Sequence, residues 1–181
     1  LNQTLSSPQS KEEETAVHKG KDEALSNEKQ QRVTLLVCVE ALCIDSYRFM
    51  NNQLYPTYQT LGNAVIDLEL VVSGNAKLDT ETNSTVCQHG FAECDANTYE
   101  QCAVDMHTVE ESLEFTHCLF NTLKMGHFQD AFPTKDFADC AEEAKIDFAP
   151  LKACHDDPEK AWWLEKRASE NTPKHHFIPF V

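Results

Sequence analysis

Basic residues are scarce in this sequence of 181 residues, because 15 lysines and arginines stand against 30 aspartates and glutamates and give a formal net charge of −15 at pH 7. Nucleic acids and anionic membrane surfaces repel such a protein, so neither is predicted as a partner. Long apolar runs are also missing. The longest, around residues 35–39, is far shorter than the roughly 20 residues that a membrane-spanning helix needs, so no membrane span is predicted.

Paired cysteines of the C-x2-C kind are absent as well, although the chain has eight cysteines. Common zinc sites contain such pairs, so the cysteine spacing in this chain favours disulfides over a metal cluster. Disulfides persist in oxidising compartments. The glycosylation sequons at Asn2 and Asn83, and a chain that starts at Leu1 rather than Met, agree with a processed secretory protein. We therefore expect a glycosylated protein that is secreted to the extracellular space or lysosomal.

Large apolar side chains are almost missing from residues 1–31, which are rich in Lys, Glu, Gln and Ser. Such a segment cannot bury enough surface to offset the entropy cost of ordering it. We expect a flexible acidic and polar tail there, followed by one domain over residues 32–181.

The domain is predicted to open with a strand, a helix and a second strand. Residues 33–39 are almost continuously apolar, as in a strand buried on both faces. Apolar residues recur at helical spacing over 47–61, where Pro56 should kink or split the helix. Residues 64–72 partly alternate in polarity, as a strand does. This order is a βαβ unit, and the predicted fold class is α/β.

The rest of the chain is predicted to be a polar loop followed by helices. Turn signals fill residues 73–93, and helical periodicity follows over 97–124. Pro133 and the pair Asp157-Pro158 each open a further helix. The last residues, 176–181, are mostly apolar and are predicted to be extended.

Cys43 lies between the first strand and the start of the helix. The partial positive charge at a helix N-terminus stabilises a thiolate, which is the nucleophile in disulfide exchange. Residues 43–46, Cys-Ile-Asp-Ser, therefore have the form of a C-x-x-C redox site with serine in the fourth position. The spacing alone leaves open that Cys43 is one half of a structural disulfide.

Longer motifs carry a resemblance to a known family. Glu40-Ala41-Leu42-Cys43 is followed over residues 87–102 by the string C-Q-H-G-x-x-E-C-x-x-N-x4-C. Together these motifs resemble the gamma-interferon-inducible lysosomal thiol reductase (GILT) family, over roughly residues 33–181. The Asp-Ser form after the cysteine is similar to insect members of the family, mosquito salivary members among them.

The resemblance implies a thioredoxin-like βαβ core that is interrupted by a cysteine-rich helical insertion at about 73–170 and that reduces disulfides with no metal or other cofactor. It implies that Cys43 is the attacking cysteine and that Ser46 stands where the family has its resolving cysteine. It also implies that Pro179 is the cis-proline beside the active cysteine, since an X-Pro bond is the plausible place for a cis peptide.

Ser46 changes the expected function. A dithiol reductase completes turnover when its second thiol attacks the mixed disulfide, which a hydroxyl cannot do. Reductase activity is therefore expected to be lost or strongly reduced, and the protein to act mainly through a protein partner, either disulfide-containing or at a cell surface. The alternative is a monothiol oxidoreductase that uses Cys43 with an external thiol. A third possibility is a structural module with Cys43 oxidised.

Relatives continue beyond the proline motif, so the C-terminal part of the fold is expected to be truncated here. An uncovered edge of the 33–39 strand would then need a cover, because an open apolar edge pairs with other chains. A homodimer through this edge, or a partner protein, is the expected cover.

The remaining cysteines are predicted to divide into a disulfide set and one free residue. Three bridges, in any of 15 connectivities, are expected among Cys87, Cys94, Cys102, Cys118, Cys140 and Cys154. Cys38 is expected to be buried and free, because an extended chain puts it up to about 16 Å from Cys43, too far for a disulfide. No metal site is expected, at 154–155 with 175–176 or elsewhere. His89 is interpreted as a loop histidine held by hydrogen bonds, and a role in the chemistry of the family that the chain resembles is the alternative.

Overall fold

Residues 31–181 are described by the structure, a computed structural model. The sequon at Asn2 and the predicted tail, apart from residue 31, lie outside the described residues. Strands and helices together give a mixed α/β architecture. None of the helices in the described part has both the length and the apolar character needed to cross a membrane.

The two predicted strands form a parallel pair. Strand β1 (Val33–Val39) and strand β2 (Ile66–Val72) run in register from Val33 opposite Ile66 to Val39 opposite Val72. Burial along β1 increases from exposed at its start to complete over its last three residues. The chain therefore enters the interior of the protein just before Cys43.

The connection between these strands contains the predicted helix in three segments. Helix α1 (Ile44–Phe49) leads into a π-helical segment (Met50–Leu54) and then into helix α2 (Tyr55–Leu61). Pro56 lies in the first turn of α2, where its missing N–H needs no intrahelical partner. The predicted interruption at Pro56 thus takes the form of a local widening of the helix rather than a break in the chain direction.

A short hairpin occupies part of the region predicted to be loop. Strand β3 (Lys77–Asp79) pairs antiparallel with strand β4 (Ser84–Val86). Three-residue strands with mostly exposed polar side chains carry no periodic signal, which explains why the sequence did not reveal them. Asn83 lies exposed in the hairpin turn with a positive φ of 51°.

Five further helices follow: α3 (Phe91–Met106), α4 (Val109–Thr122), α5 (Thr134–Glu143), α6 (Phe148–His155) and α7 (Pro158–Asn171). The single helix predicted over 97–124 is wrong, because the chain breaks between α3 and α4. Thr108 accepts the backbone N–H of Glu111, whose side chain accepts the backbone N–H of Thr108 in return. This capping box starts a new helix.

The apolar core has two clusters that meet at the end of β1. One packs the β1–β2 sheet against the α1–α2 connection, with Met50, Tyr58 and Phe120 fully or almost fully buried. The other lies among α3 to α7 and contains Ala41 and Leu42. The loop that carries Cys43 therefore bridges the two clusters.

Three disulfides connect the helical region, with Cα–Cα distances of 5.6, 6.0 and 5.5 Å: Cys87–Cys94, Cys102–Cys154 and Cys118–Cys140. The first closes the turn before α3, the second joins α3 to α6, and the third joins α4 to α5. Cys38 and Cys43 are free and buried.

Residues near the chain end return to the sheet. Phe180 pairs with Cys38 in an isolated antiparallel bridge, with N–H to O distances of 2.9 and 3.0 Å. The peptide bond between Ile178 and Pro179 is cis. This segment therefore lies along the edge of β1 opposite β2, close to the loop that carries Cys43.

Candidate functional site

Cys43 is the N-cap residue of α1. Its backbone is extended, with φ −76° and ψ 122°, and its carbonyl accepts the N–H of Tyr47 at 2.9 Å. Its side chain carries a free thiol, and the residue is 8% exposed. The thiol thus lies at the N-terminus of α1 and has limited access to solvent, and its side chain makes no capping hydrogen bond to the helix.

Ser46 lies one turn further along α1 and is fully buried. Its Oγ accepts the backbone N–H of Glu40 at 3.2 Å. The hydroxyl in the predicted resolving position is therefore fixed to the backbone that precedes the cysteine.

The chain end completes the surroundings of the thiol. Cys43 Sγ lies 4.0 Å from the carbonyl oxygen of Ile178, which is the residue before the cis bond to Pro179. The structure thus brings together two predicted site residues, Cys43 and Pro179, from parts of the sequence 136 positions apart. Cys38 contributes its backbone to the bridge with Phe180, and burial raises the pKa of its thiol.

Three ionisable side chains converge beside the cysteine loop, and sequence reasoning did not group them. Glu40 is fully buried, and its Oε1 accepts the backbone N–H of Asn75 at 2.5 Å. Its Oε2 lies 3.7 Å from Nδ1 of His89, which is 2.5 Å from Oε2 of Glu93. Burial raises the pKa of Glu40 above the ordinary glutamate value, against a lowering by the Asn75 N–H.

Gly74 makes the close packing around Glu40 possible. A Cβ built on Gly74 would lie 2.1 Å from Cγ of Glu40, and its φ of +57° belongs to the left-handed region. The turn at 74–75 can therefore place its backbone directly against the Glu40 side chain.

A buried polar stripe on α3 continues from this cluster. It comprises Glu93, Asn97, Glu100 and Gln101, which are all at most 4% exposed. Burial raises the pKa of Glu100 to about 8. Glu165 of α7 accepts hydrogen bonds from Ser73 and Gln101, and burial raises its pKa as well. Polar residues at helical spacing are typical of a solvated helix face, so this interior stripe could not be predicted from the sequence pattern.

The histidines at 155 and 175 are not brought together. His155 lies 2.9 Å from a carboxylate oxygen of Asp95 and 2.9 Å from one of Asp156, one on each ring nitrogen. His175 pairs through Nε2 with the side chain of Asn75 at 3.0 Å. Neither residue belongs to the group formed by Glu40, His89 and Glu93.

A free, helix-capping cysteine beside a parallel βαβ unit, with three disulfides in an adjoining helical region, fits the class of thiol-reductase-like proteins. Residues 34–144 match the family model described as gamma interferon inducible lysosomal thiol reductase (GILT). This match spans more than half of the chain, and the protein belongs to the GILT family.

Curated relatives agree with this membership. A gamma-interferon-inducible lysosomal thiol reductase-like protein of Anopheles gambiae is 33% identical over 130 residues, which cover 65% of this chain and 52% of the relative. GILT-like protein 1 of Drosophila melanogaster is 29% identical over 155 residues, or 78% of this chain and 60% of the relative. A gamma-interferon-inducible lysosomal thiol reductase of Carassius auratus is 40% identical over 72 residues, 39% of this chain and 28% of the relative. The chain spans about half the length of the insect relatives.

Proposed function

We propose that this protein is a GILT-family thiol oxidoreductase homologue whose disulfide reductase activity is lost or strongly reduced and which acts mainly by binding a protein partner. The observation that carries the proposal is Ser46, a fully buried serine at the fourth position of the C-x-x-S segment. A mixed disulfide on Cys43 has no second thiol at this position to resolve it. Such an adduct would last until an external thiol attacked it.

The same site supports an alternative, a monothiol oxidoreductase. Cys43 carries a free thiol and is the N-cap residue of α1. In this reaction the Cys43 thiolate attacks a substrate disulfide, and one substrate sulfur leaves as a thiol. An external thiol then attacks the Cys43 sulfur, which releases the second substrate sulfur as a thiol and leaves the external thiol bound to Cys43 in a mixed disulfide. A second external thiol attacks the sulfur of the first, so that an external disulfide is released and the Cys43 thiolate is regenerated. Two external thiols are oxidised for each substrate disulfide reduced, so turnover depends on their concentration.

The fold we propose for residues 32–181 is thioredoxin-like, with an insertion at about 73–170. The parallel β1–β2 pair and the cis bond before Pro179 next to Cys43 support it. The three disulfides support a secreted or lysosomal location. Exposure in a hairpin turn supports glycosylation at Asn83.

A reductase assay tests the proposal. Insulin reduction by the wild-type protein should stay near that of Cys43→Ser at pH 4.5 and at pH 7, while Ser46→Cys should be at least about tenfold faster because it supplies the missing thiol. Ser46→Ala is the matched control, since it changes the same buried position without adding sulfur. Wild-type turnover close to that of Ser46→Cys would refute lost activity.

Two further measurements separate the partner-binding and monothiol readings. Wild-type turnover that rises with added glutathione and vanishes in Cys43→Ser favours the monothiol reaction. Wild-type protein that instead accumulates a mixed disulfide through Cys43, seen by intact mass under non-reducing conditions, favours stable partner capture.

A homodimer could form through the edge of β1 that lies opposite β2. Within residues 31–181 this edge is paired at Cys38, through the isolated bridge to Phe180. A dimer through the rest of this edge should appear in sedimentation of the isolated chain, and a monomer at every concentration would exclude it.

A further inference from the structure

Three side chains each place one possible metal-ligand atom close to the other two: Glu40, His89 and Glu93. Glu40 follows β1, His89 lies in the turn closed by the Cys87–Cys94 disulfide, and Glu93 lies in the first turn of α3. One carboxylate oxygen from each glutamate and one histidine nitrogen all lie within 4.8 Å of one another.

Each carboxylate is anchored by its other oxygen. Oε1 of Glu40 accepts the backbone N–H of Asn75, and Oε1 of Glu93 accepts the backbone N–H of His89 at 3.0 Å. The Oε2 atoms are left to face Nδ1 of His89. Backbone anchors of this kind orient ligands in metal sites.

Oε2 of Glu40 is an independent observation that points to a ligand at this position. The side chain of Glu40 is fully buried, and among residues 31–181 this oxygen has no hydrogen-bond partner. It points towards Nδ1 of His89 at 3.7 Å. A buried carboxylate oxygen without a partner is costly, whereas a cation at this point would satisfy it.

Ligand type and spacing fit a divalent transition metal. Zinc binds imidazole nitrogen and carboxylate oxygen at about 2.0–2.2 Å, so ligand atoms in a tetrahedral site lie about 3.3–3.6 Å apart. The distances of 2.5 Å for His89 to Glu93 and 3.7 Å for His89 to Glu40 bracket this range. An opening of the shorter contact by about 1 Å is enough to admit the ion.

We propose that Glu40, His89 and Glu93 form a binding site for a divalent transition metal ion, with Zn²⁺ as its simplest occupant. Two carboxylates balance the charge of the ion, and three protein ligands leave one coordination position open. The ion would clamp the loop before Cys43 to the disulfide-bonded turn and to α3. The site is independent of whether Cys43 reduces disulfides, and no sequence spacing reveals it because position 40 is far from positions 89 and 93.

Zinc titration of the full chain tests the site. All proteins carry Cys43→Ser, so that the free thiol of this residue cannot bind the metal, and all retain the three disulfides. In isothermal titration calorimetry at pH 7 this background should bind one equivalent of Zn²⁺, and Glu93→Gln and Glu40→Gln should each weaken binding at least about tenfold. Asp156→Asn is the matched control, because it alters the other histidine–carboxylate group, where Asp156 and Asp95 face different nitrogens of His155. It should leave affinity unchanged.

Thermal unfolding gives a second readout that does not depend on the variants folding. Zn²⁺ in large excess over its dissociation constant should raise the melting temperature of the Cys43→Ser protein. The proposal is overturned if this protein shows no saturable binding, if Zn²⁺ leaves its melting temperature unchanged, or if folded Glu93→Gln and Glu40→Gln bind as tightly as the Asp156→Asn control.

Discussion

Glu100 should make the protein less stable at neutral pH than at acidic pH. The side chain is completely buried on α3, and neither carboxyl oxygen makes a hydrogen bond of normal geometry within residues 31–181. Burial raises the pKa of this carboxyl to about 8, although the nearby Thr116 hydroxyl opposes the rise. Folding therefore favours the protonated, neutral form.

The size of the effect follows from the two pKa values of Glu100. The ordinary value is 4.5 and the value in the fold is about 8. Because the folded pKa is the higher one, this contribution to stability is fully present below pH 4.5 and is lost as the pH rises to about 8. Between pH 4.5 and 7 the folded protein holds one proton more than the unfolded chain, which amounts to about 3 kcal/mol.

Glu100→Gln tests this, because the amide is neutral at every pH and similar in shape. Urea unfolding with the disulfides intact should show that the variant gains about 3 kcal/mol relative to the wild type between pH 4.5 and 7. Glu142→Gln, at an exposed position on α5, should keep the wild-type pH dependence. If Glu100→Gln and the wild type lose stability in parallel over this range, the carboxyl is not held neutral in the fold and the reasoning is wrong.

Two more stability predictions follow from the helical region. Replacing Cys118 and Cys140 together by serine should cost about 3 kcal/mol, the loop-closure value for a disulfide with sequence separation 22, and an unchanged urea midpoint would contradict it. Burial alone would raise the pKa of Asp105, but its hydrogen bonds with Lys160 and Arg167 lower it overall. The stability from Asp105 is therefore present at pH 7 and lost as the pH falls below its ordinary range, so Asp105→Asn should cost about 1 kcal/mol at pH 7 and almost nothing near pH 2.

Local patterns predicted the part of the fold that is periodic. The β1–α1–α2–β2 order, the interruption at Pro56 and the starts of α5 and α7 all depend on apolar spacing or on proline, which act within a few residues. The sequence signal for the break at Thr108 is equally local, since Thr-x-x-Glu at 108–111 is a capping-box signature. It was missed because apolar spacing continues across it.

The site was predictable only where the family motif names its residues. Cys43, Ser46 and Pro179 follow from the motif, and the structure places Cys43 beside the cis bond before Pro179. The grouping of Glu40 with His89 and Glu93 depends on how the loop after β1 packs against the start of α3. That packing is a tertiary property, and no spacing rule for 40, 89 and 93 encodes it.

The positions of the three disulfides have a consequence for proteolysis. All of them lie within residues 87–154. A cut of the backbone between Cys87 and Cys94, or between Cys102 and Cys154, leaves the two fragments joined by a disulfide. No disulfide reaches residues 155–181, and Ile178 and Pro179 are held beside Cys43 by non-covalent contacts alone. One cleavage between α7 and Ile178 would therefore free the segment that covers the thiol. A protease could expose Cys43 in this way without breaking any sulfur–sulfur bond.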